Sequence, residues 1–252
     1  MQVYYYILII LVSLSLGSFF NVIIFRFNTD QNATKGRSKC LKCHSAVRWL
    51  DLIPIFSYFI LGGKCRNCGT KISPMYPVVE ASTAAVLLLL FLNTQTVSYL
   101  TMLNALTVLL FMLVIFFDMR YFIIPDKILV LLTIIAIIFM LFGHNMTFPN
   151  LLISGLSLAS FFAILFIASH GRWIGFGDVK LVLLIGLLLG YPFGFLAVTS
   201  SIWAATIFSV LLLATGRADL KTKIPLGSFL SATTIIFIIF NHELQEISKY
   251  FY

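Results

Sequence analysis

The chain is 252 residues long, 60% hydrophobic and only 10% charged, with a mean hydropathy of +1.03. A soluble domain carries about a quarter charged residues, so a water-solvated globule is excluded, and intrinsic disorder with it. The 17 Lys and Arg against 9 Asp and Glu leave a formal charge of +8. In so apolar a chain that excess is a topology signal, and no nucleic-acid partner is expected.

Eight apolar runs follow one another, at about 3–25, 78–92, 97–117, 128–143, 151–169, 179–190, 193–214 and 226–240. A helical span needs about 20 residues, and none of the runs alternates as a barrel strand would. The first run has no basic residue before it and Arg26 after it, so it reads as a retained helix and not as a cleaved signal. The sixth and seventh runs are split only by Gly190-Tyr191-Pro192-Phe193. The 36 residues from Val179 to Ala214 are too long for one ordinary span, so a tight hairpin is expected there.

The basic residues set the orientation. With the N-terminus outside, Arg26 to Lys71, then Arg120, Lys127, Arg172, Lys180, Arg217, Lys221 and Lys223 all face inward, and Lys249 alone faces out. This fits the positive-inside rule. The expected fold is an all-α polytopic membrane protein of about eight transmembrane helices, with both termini extracytoplasmic. The parse is 1–27 for the first helix, 28–77 for a cytoplasmic cysteine-rich insert and 78–252 for the membrane-embedded remainder. Within the insert, Leu50–Leu61 is apolar but too short to span; it either packs as a small core or lies against the bilayer surface.

All four cysteines are in the insert, as Cys40-Leu41-Lys42-Cys43 and Cys65-Arg66-Asn67-Cys68 with 21 residues between the pairs. Two such pairs complete a tetrahedral, four-thiolate Zn²⁺ site with no open position, which makes the metal structural. Gly62, Gly63 and Gly69 permit tight turns around the second pair. Disulfides, redox chemistry and unligated thiols are the competing readings, and a reducing cytoplasm argues against the first. His44 reads as a solvated loop residue before it reads as a ligand.

The acids are few enough to take singly. Asp30, Asp219, Glu243 and Glu246 read as solvated, and Asp51 lies near Arg48. Glu80, near the start of the second span, is expected to pair with a basic group at the inner boundary, although an acid in a span is a functional candidate by default. Asp126 reads mainly as a helix cap. Asp118 and Asp178 are 60 residues apart, yet both are placed at the inner ends of spans, among Phe116, Phe117, Trp173, Ile174 and Phe176. If the third and sixth spans are neighbours, the two carboxylates meet. Two acids in a low-dielectric site share a proton, which equips one to activate water while the other protonates the scissile group. Gly175 and Gly177 would let an extended substrate backbone approach, and Lys180 follows them. The bland alternative is that Asp178 is an N-cap. Asp118 resists that explanation, because it stands at a helix C-terminus, where the dipole disfavours negative charge.

Two further readings use the same residues. One is a cation transporter with Glu80, Asp118 and Asp178 as coupling acids and the cysteines as a metal sensor. The other is a non-enzymatic, zinc-bearing secretion scaffold. Acids clustered at one boundary and the lack of an internal repeat favour the protease reading over a transporter.

Several ordered motifs carry a family resemblance. Gly17-Ser18-Phe19-Phe20-Asn21 through Arg26, the cysteine insert with Ile53-Pro54 and Gly63-Lys64, Tyr76-Pro77-Val78-Val79-Glu80, Asp118 with Ile124-Pro125-Asp126, Gly175-Phe176-Gly177-Asp178-Val179-Lys180, and Ile224-Pro225-Leu226-Gly227 occur in one order. Together they resemble the type IV prepilin peptidases, aspartic proteases with a Gly-x-Gly-Asp motif, over nearly the whole chain. The resemblance implies cleavage of a short basic leader from type IV prepilins or pseudopilins at the cytoplasmic membrane face, with Asp118 and Asp178 catalytic. It also implies N-methylation of the new amino terminus from S-adenosylmethionine in many members, an activity tied to the cysteine region. Leu41 replaces a common proline and Leu52 a common asparagine. These departures resemble the version found in Gram-positive bacteria, where competence pseudopilins are among the substrates.

Overall fold

The computed structural model describes residues 2–27, 38–40, 42–94, 97–142, 147–219 and 222–240. Among these residues it is helical apart from two isolated β-bridges, and it divides into two compact units, Met1–Gln95 and Thr96–Tyr252. Asp30, Glu243, Glu246 and Lys249 lie outside the described residues.

The first unit is a helical hairpin carrying the cysteine insert. Helices α1 (Gln2–Arg26) and α3 (Met75–Thr94) pack antiparallel, with Tyr5 edge-on to Phe91 at one end and Phe25 stacked on Tyr76 at the other. Gly17 lets the helices close: a Cβ there would stand 2.7 Å from the Glu80 Cα. The apolar middle of the insert forms a 3₁₀ turn (Trp49–Leu52) and α2 (Phe56–Ile60), and no residue of either is buried. The small-core alternative therefore fails, because these side chains face outward.

The second unit holds α4 (Tyr99–Tyr121), α5 (Asp126–Phe142), α6 (Phe148–Ala168), α7 (Phe176–Leu189), α8 (Phe193–Ala214) and α9 (Leu226–Ile239). Each of the eight apolar runs thus falls on a helix. Five of these helices, α1, α3, α4, α6 and α8, are long and apolar enough to cross a bilayer. The chain is a multi-pass membrane protein. Helices α7 and α9 have only 14 residues each, about 21 Å at 1.5 Å per residue, short of a hydrocarbon core of about 30 Å. Helix α7 packs against α5, α6, α8 and α9, with Leu181, Val182 and Ile185 fully buried. Backbone around its ends can be irregular because protein, and not lipid, surrounds it.

The break between α7 and α8 separates two helices that pack on each other, which is the expected hairpin. The tightest seam is between α6 and α7. A Cβ on Gly186 would stand 2.5 Å from the Gly155 Cα, and one on Gly155 would stand 3.0 Å from the Leu183 carbonyl. At Gly186 the obstruction is all backbone and cannot rotate away, whereas at Gly155 the Leu187 side chain, 2.9 Å off, shares it. Gly186→Val is accordingly expected to cost about 1–3 kcal/mol, the usual penalty of overpacking, read as a lower thermal-unfolding midpoint in detergent. An unchanged midpoint would place α6 and α7 farther apart than this.

Candidate active site

The ends of four helices meet around two carboxylates. Asp118 lies in the last turn of α4, where Phe122 closes the helix in the left-handed region and donates its N–H to the Asp118 carbonyl at 2.9 Å. Its side chain is buried, and the dipole of its own helix opposes it. What answers that charge is the first turn of α9. The Ser228 N–H donates to Asp118 Oδ2 at 2.6 Å, and the Ser228 hydroxyl donates to the same oxygen at 3.0 Å. Ser228 is the third residue of α9, so its N–H has no carbonyl four residues back to pair with; it is shared with the Pro225 carbonyl at 3.2 Å and belongs to the positive end of the dipole. The hydroxyl is also 3.1 Å from the Ile115 carbonyl, which ties it to α4.

Asp178 is the third residue of α7 and accepts the Gly175 N–H at 3.2 Å. This is the capping contact weighed in the sequence, made by the side chain in the first turn and not from the N-cap position. The two acids do not meet by direct packing of their helices. Both α4 and α7 pack on α5 and on α9, and the loop ahead of α5 carries Ile124. Ile124 of that loop faces Gly177 and Gly227 alike: a Cβ at either would stand 3.4 Å and 3.0 Å from it. Asp126, expected as a cap, begins α5 and pairs with Lys180 at 2.7 Å, and the Lys180 ammonium lies 5.0 Å from the centre of the Phe176 ring. The N-termini of α5, α7 and α9 thus converge on one acidic patch.

The cysteine cluster forms part of the first unit. All four Sγ atoms lie within 4.8 Å of one another, and Cys40 and Cys68 are 3.8 Å apart. Four sulfurs each 2.3 Å from a tetrahedral zinc would be separated by about 3.8 Å, so the donor set fits that ion. The two knuckles have the same local fold. The Cys40 N–H bonds the Ser45 carbonyl and the His44 N–H returns to Cys40; the Cys65 N–H bonds Thr70 and the Gly69 N–H returns to Cys65. Gly69 has φ +69, and His44 takes the equivalent place with φ 54. His44 is a turn residue, exposed, and outside the sulfur cluster. The Thr70 hydroxyl beside Cys68, then the Thr70 N–H, hold that thiol down at about 6, which favours the thiolate a metal binds.

Two acids have partners other than those expected. Asp51 pairs with Arg66 at 2.6 Å, and the Arg66 bond holds its carboxyl below the usual range. Glu80 has neutral donors in place of a basic group: the Ile55 N–H at 2.7 Å, the Asn21 amide at 3.3 Å and the Ser18 hydroxyl. Neutral donors suffice because backbone and amide N–H groups can satisfy a buried carboxylate. Ser228 was not legible as a site residue, since its main contribution is a backbone N–H. The one signal for it is its place directly after the Ile224–Gly227 motif.

Two carboxylates held at helix ends inside a multi-pass helical bundle form the candidate site. Residues 11–94 match the model of the bacterial peptidase A24 N-terminal domain, and residues 105–210 match that of the type IV leader peptidase family. A prepilin leader peptidase/N-methyltransferase of Vibrio cholerae serotype O1 is 32% identical over 210 residues, which cover 77% of this chain and 81% of that protein. Proteins of the same name are 31% identical in Klebsiella pneumoniae, over 71% of this chain and 82% of that one, and 26% identical in Bacillus subtilis, over 92% of each. No solved structure matches. The chain belongs to the type IV leader peptidase family, which sets aside the transporter and scaffold readings.

Gly227 offers a direct probe of the site. Its Cβ would stand 3.1 Å from Asp118 Oδ2 and 3.0 Å from Ile124. Gly227→Ala is expected to displace the carboxylate by a few tenths of an ångström and lower peptidase kcat about tenfold or more, because catalysis tolerates little misplacement. Wild-type kcat in that variant would show that Asp118 has room the geometry denies it.

Proposed function

We propose that this protein removes the leader peptide from type IV prepilins or pseudopilins, of the pilus, secretion or competence type, with Asp118 and Asp178 as its catalytic pair. The observation that carries the reading is that Ile124 meets both Gly227, which lies against the Asp118 carboxylate, and Gly177, next to Asp178, in a chain of the leader peptidase family. Both acids lie in the proposed peptidase segment 78–252.

In this reading the pair holds one proton. The ionised carboxylate takes a proton from water as the hydroxyl oxygen adds to the scissile carbonyl carbon, and the protonated partner gives its proton to the carbonyl oxygen. A tetrahedral diol results. The carbon–nitrogen bond then breaks, the proton taken from water passes to the leaving amine, and the carboxylate that gave up its proton takes one back from a diol hydroxyl as the diol collapses to a carboxylic acid, which restores the pair. Ser228 positions Asp118 throughout by its two bonds to Oδ2. Gly175, Gly177 and Lys180 are the proposed substrate loop, with Lys180 leaving Asp126 when a substrate displaces it; the exposed pair is worth under about 1 kcal/mol and opens easily.

The chain is read as eight spans with both termini extracytoplasmic and the acids at the cytoplasmic face. The charge distribution among the loops supports that orientation. Cys40, Cys43, Cys65 and Cys68 are proposed to hold one structural zinc, which orders the insert 28–77; the sulfur spacing supports it. The relatives' names join a second activity to the first. On that ground N-methylation of the product amine from S-adenosylmethionine is proposed as well.

Asp118→Asn and Asp178→Asn, each alone, are expected to abolish cleavage of a pilin-like substrate while the protein still inserts into membranes. Processing at a near-normal rate by either variant would sink the dyad. Mass spectrometry of the wild-type product's amino terminus, free or methylated, decides the second activity in the same assay. Metal analysis of freshly purified, reduced protein is expected to find about one zinc per chain, lost in Cys40→Ser/Cys65→Ser. Metal-free wild type would remove the zinc site and leave the peptidase reading untouched.

A further inference from the structure

The cysteine insert exposes a patch of large apolar side chains that neither the proposed zinc nor the peptidase chemistry uses. Trp49 is 75% exposed, Phe59 71% and Ile60 78%, with Leu50, Ile53 and Phe56 also exposed. In α2 the residues Phe56, Phe59 and Ile60 stand at i, i+3 and i+4, which is one helical face. Ser57 and Tyr58 turn the other way and are partly buried, Tyr58 with its hydroxyl 3.0 Å from where a Gly63 Cβ would be. The segment is therefore amphipathic in the sense opposite to a core element: its apolar face looks outward. A contiguous patch of this kind marks a surface that something covers.

The depth of the patch is set by an acid. Glu80 is buried, and its Oε2 accepts the Ile55 N–H at 2.7 Å. It is the sixth residue of α3, a helix long and apolar enough to cross the bilayer, and thus lies about 8 Å along the axis from Met75 at 1.5 Å per residue. Ile55 is held there with φ 63, a region a β-branched residue seldom enters and one that costs free energy unless the surroundings impose it. The Asn21 amide, bonded to both Tyr76 and Glu80, fixes the carboxylate from α1. The backbone midway between Trp49 and Ile60 is thereby drawn down to the end of the membrane hairpin, and it cannot stand off in water.

We propose that Trp49–Ile60 is an interfacial segment, and that its occupant is the lipid of the bilayer that the same unit spans. Three observations select lipid over a protein partner. The patch is continuous with two membrane helices through the Ile55–Glu80 bond. Its flanks are basic and exposed, with Arg48, Lys42, Lys64 and Lys71 facing anionic headgroups. Trp49 beside Arg48 has the composition of an interfacial anchor, an amphipathic ring next to a cation. The segment lies in the plane of the membrane with Phe56, Phe59 and Ile60 in the upper acyl region, and the sulfur cluster is seated on the bilayer surface by it.

The test uses the full chain in nanodiscs of phosphatidylglycerol and phosphatidylcholine. Tryptophan occurs three times, so Trp173→Phe/Trp203→Phe leaves Trp49 as the sole tryptophan, excited selectively at the red edge of the absorption band. Lipids brominated high on the acyl chain are expected to quench it about twofold relative to plain lipids, since an interfacial helix sinks about 5–10 Å into the headgroup–acyl boundary. Equal emission in the two lipids overturns the proposal, whether Trp49 then proves open to acrylamide, and so in water, or shielded from it, and so covered by a second copy, a substrate or another part of the chain. A second measurement needs no variant. Wild-type protein in nanodiscs doped with a lipid carrying a photoreactive group on its acyl chain is expected to yield lipid adducts on the 49–60 peptide. Adducts on the α1 and α3 peptides with none on 49–60 would also overturn it.

Discussion

A carboxylate in the last turn of a helix is opposed by that helix's own dipole, and Asp118 keeps its place because the first turn of α9 is aimed at it. The bond from the Ser228 N–H is worth more than a typical neutral hydrogen bond, since one partner can carry a full charge and water is excluded. It also governs the arrangement around it. For α9 to present its third N–H to α4, its first turn must lie beside Asp118, and that requires glycine at 227, where any side chain would press on the carboxylate and on Ile124. Ile124 in turn meets Gly177, which brings the start of α7 against the same loop. Four helix ends are ordered by one oxygen atom and the side chain beside it.

The membrane explains why the acids stand at helix ends. In hydrocarbon every backbone group must be satisfied within the chain, so spanning segments are helices and their middles have no free donors. Unpaired N–H groups exist only in first turns. A buried acid that needs donors therefore goes where helices begin: the first turn of α9 gives Asp118 the Ser228 N–H, and the residue ahead of α7 gives Asp178 the Gly175 N–H. The same rule operates in the first unit, where Glu80 is inside α3 and cannot reach a first turn. It takes the free N–H of Ile55 from the insert instead, together with the Asn21 amide. In both units a carboxylate in an apolar setting recruits a backbone donor from an element distant in sequence, and that long-range bond sets the position of the recruited element.

Much of the helical architecture was legible because hydrophobic runs and basic loops are properties of composition along the chain. Each run from 3–25 to 226–240 needed no knowledge of its neighbours to be recognised. The knuckles were legible for a similar reason: C-x2-C is a local pattern, and the sulfurs cluster as the spacing suggested. What could not be read were the bonds made by main-chain groups. Nothing in the residue type serine says that the N–H at 228 faces Asp118, because every non-proline residue offers the same donor. Nor does isoleucine at 55 announce a left-handed backbone tied to an acid. Glu80 looked in need of a cation because charge pairing is visible in a sequence and backbone donation is not. The route by which Asp118 and Asp178 approach was hidden too, since it runs through Ile124 and α9 and not through a contact of α4 with α7.

These hidden bonds also give the exposed segment of the insert a physical reason. A run such as Trp49–Ile60, taken alone, reads as an apolar stretch too short to span, and two fates were open to it. The choice between them follows from where Ile55 is tied. Had its N–H bonded within the insert, the segment would have been free to fold inward and bury Phe56 and Phe59 against the knuckles. Because the bond goes to Glu80, the backbone is held against the end of the hairpin with its apolar side chains turned away from the sulfur cluster. Burying a phenylalanine is worth about 1.5–3 kcal/mol, so two of them left in water would more than offset the hydrogen bond that holds them out. The arrangement is consistent only if the outward side is not water.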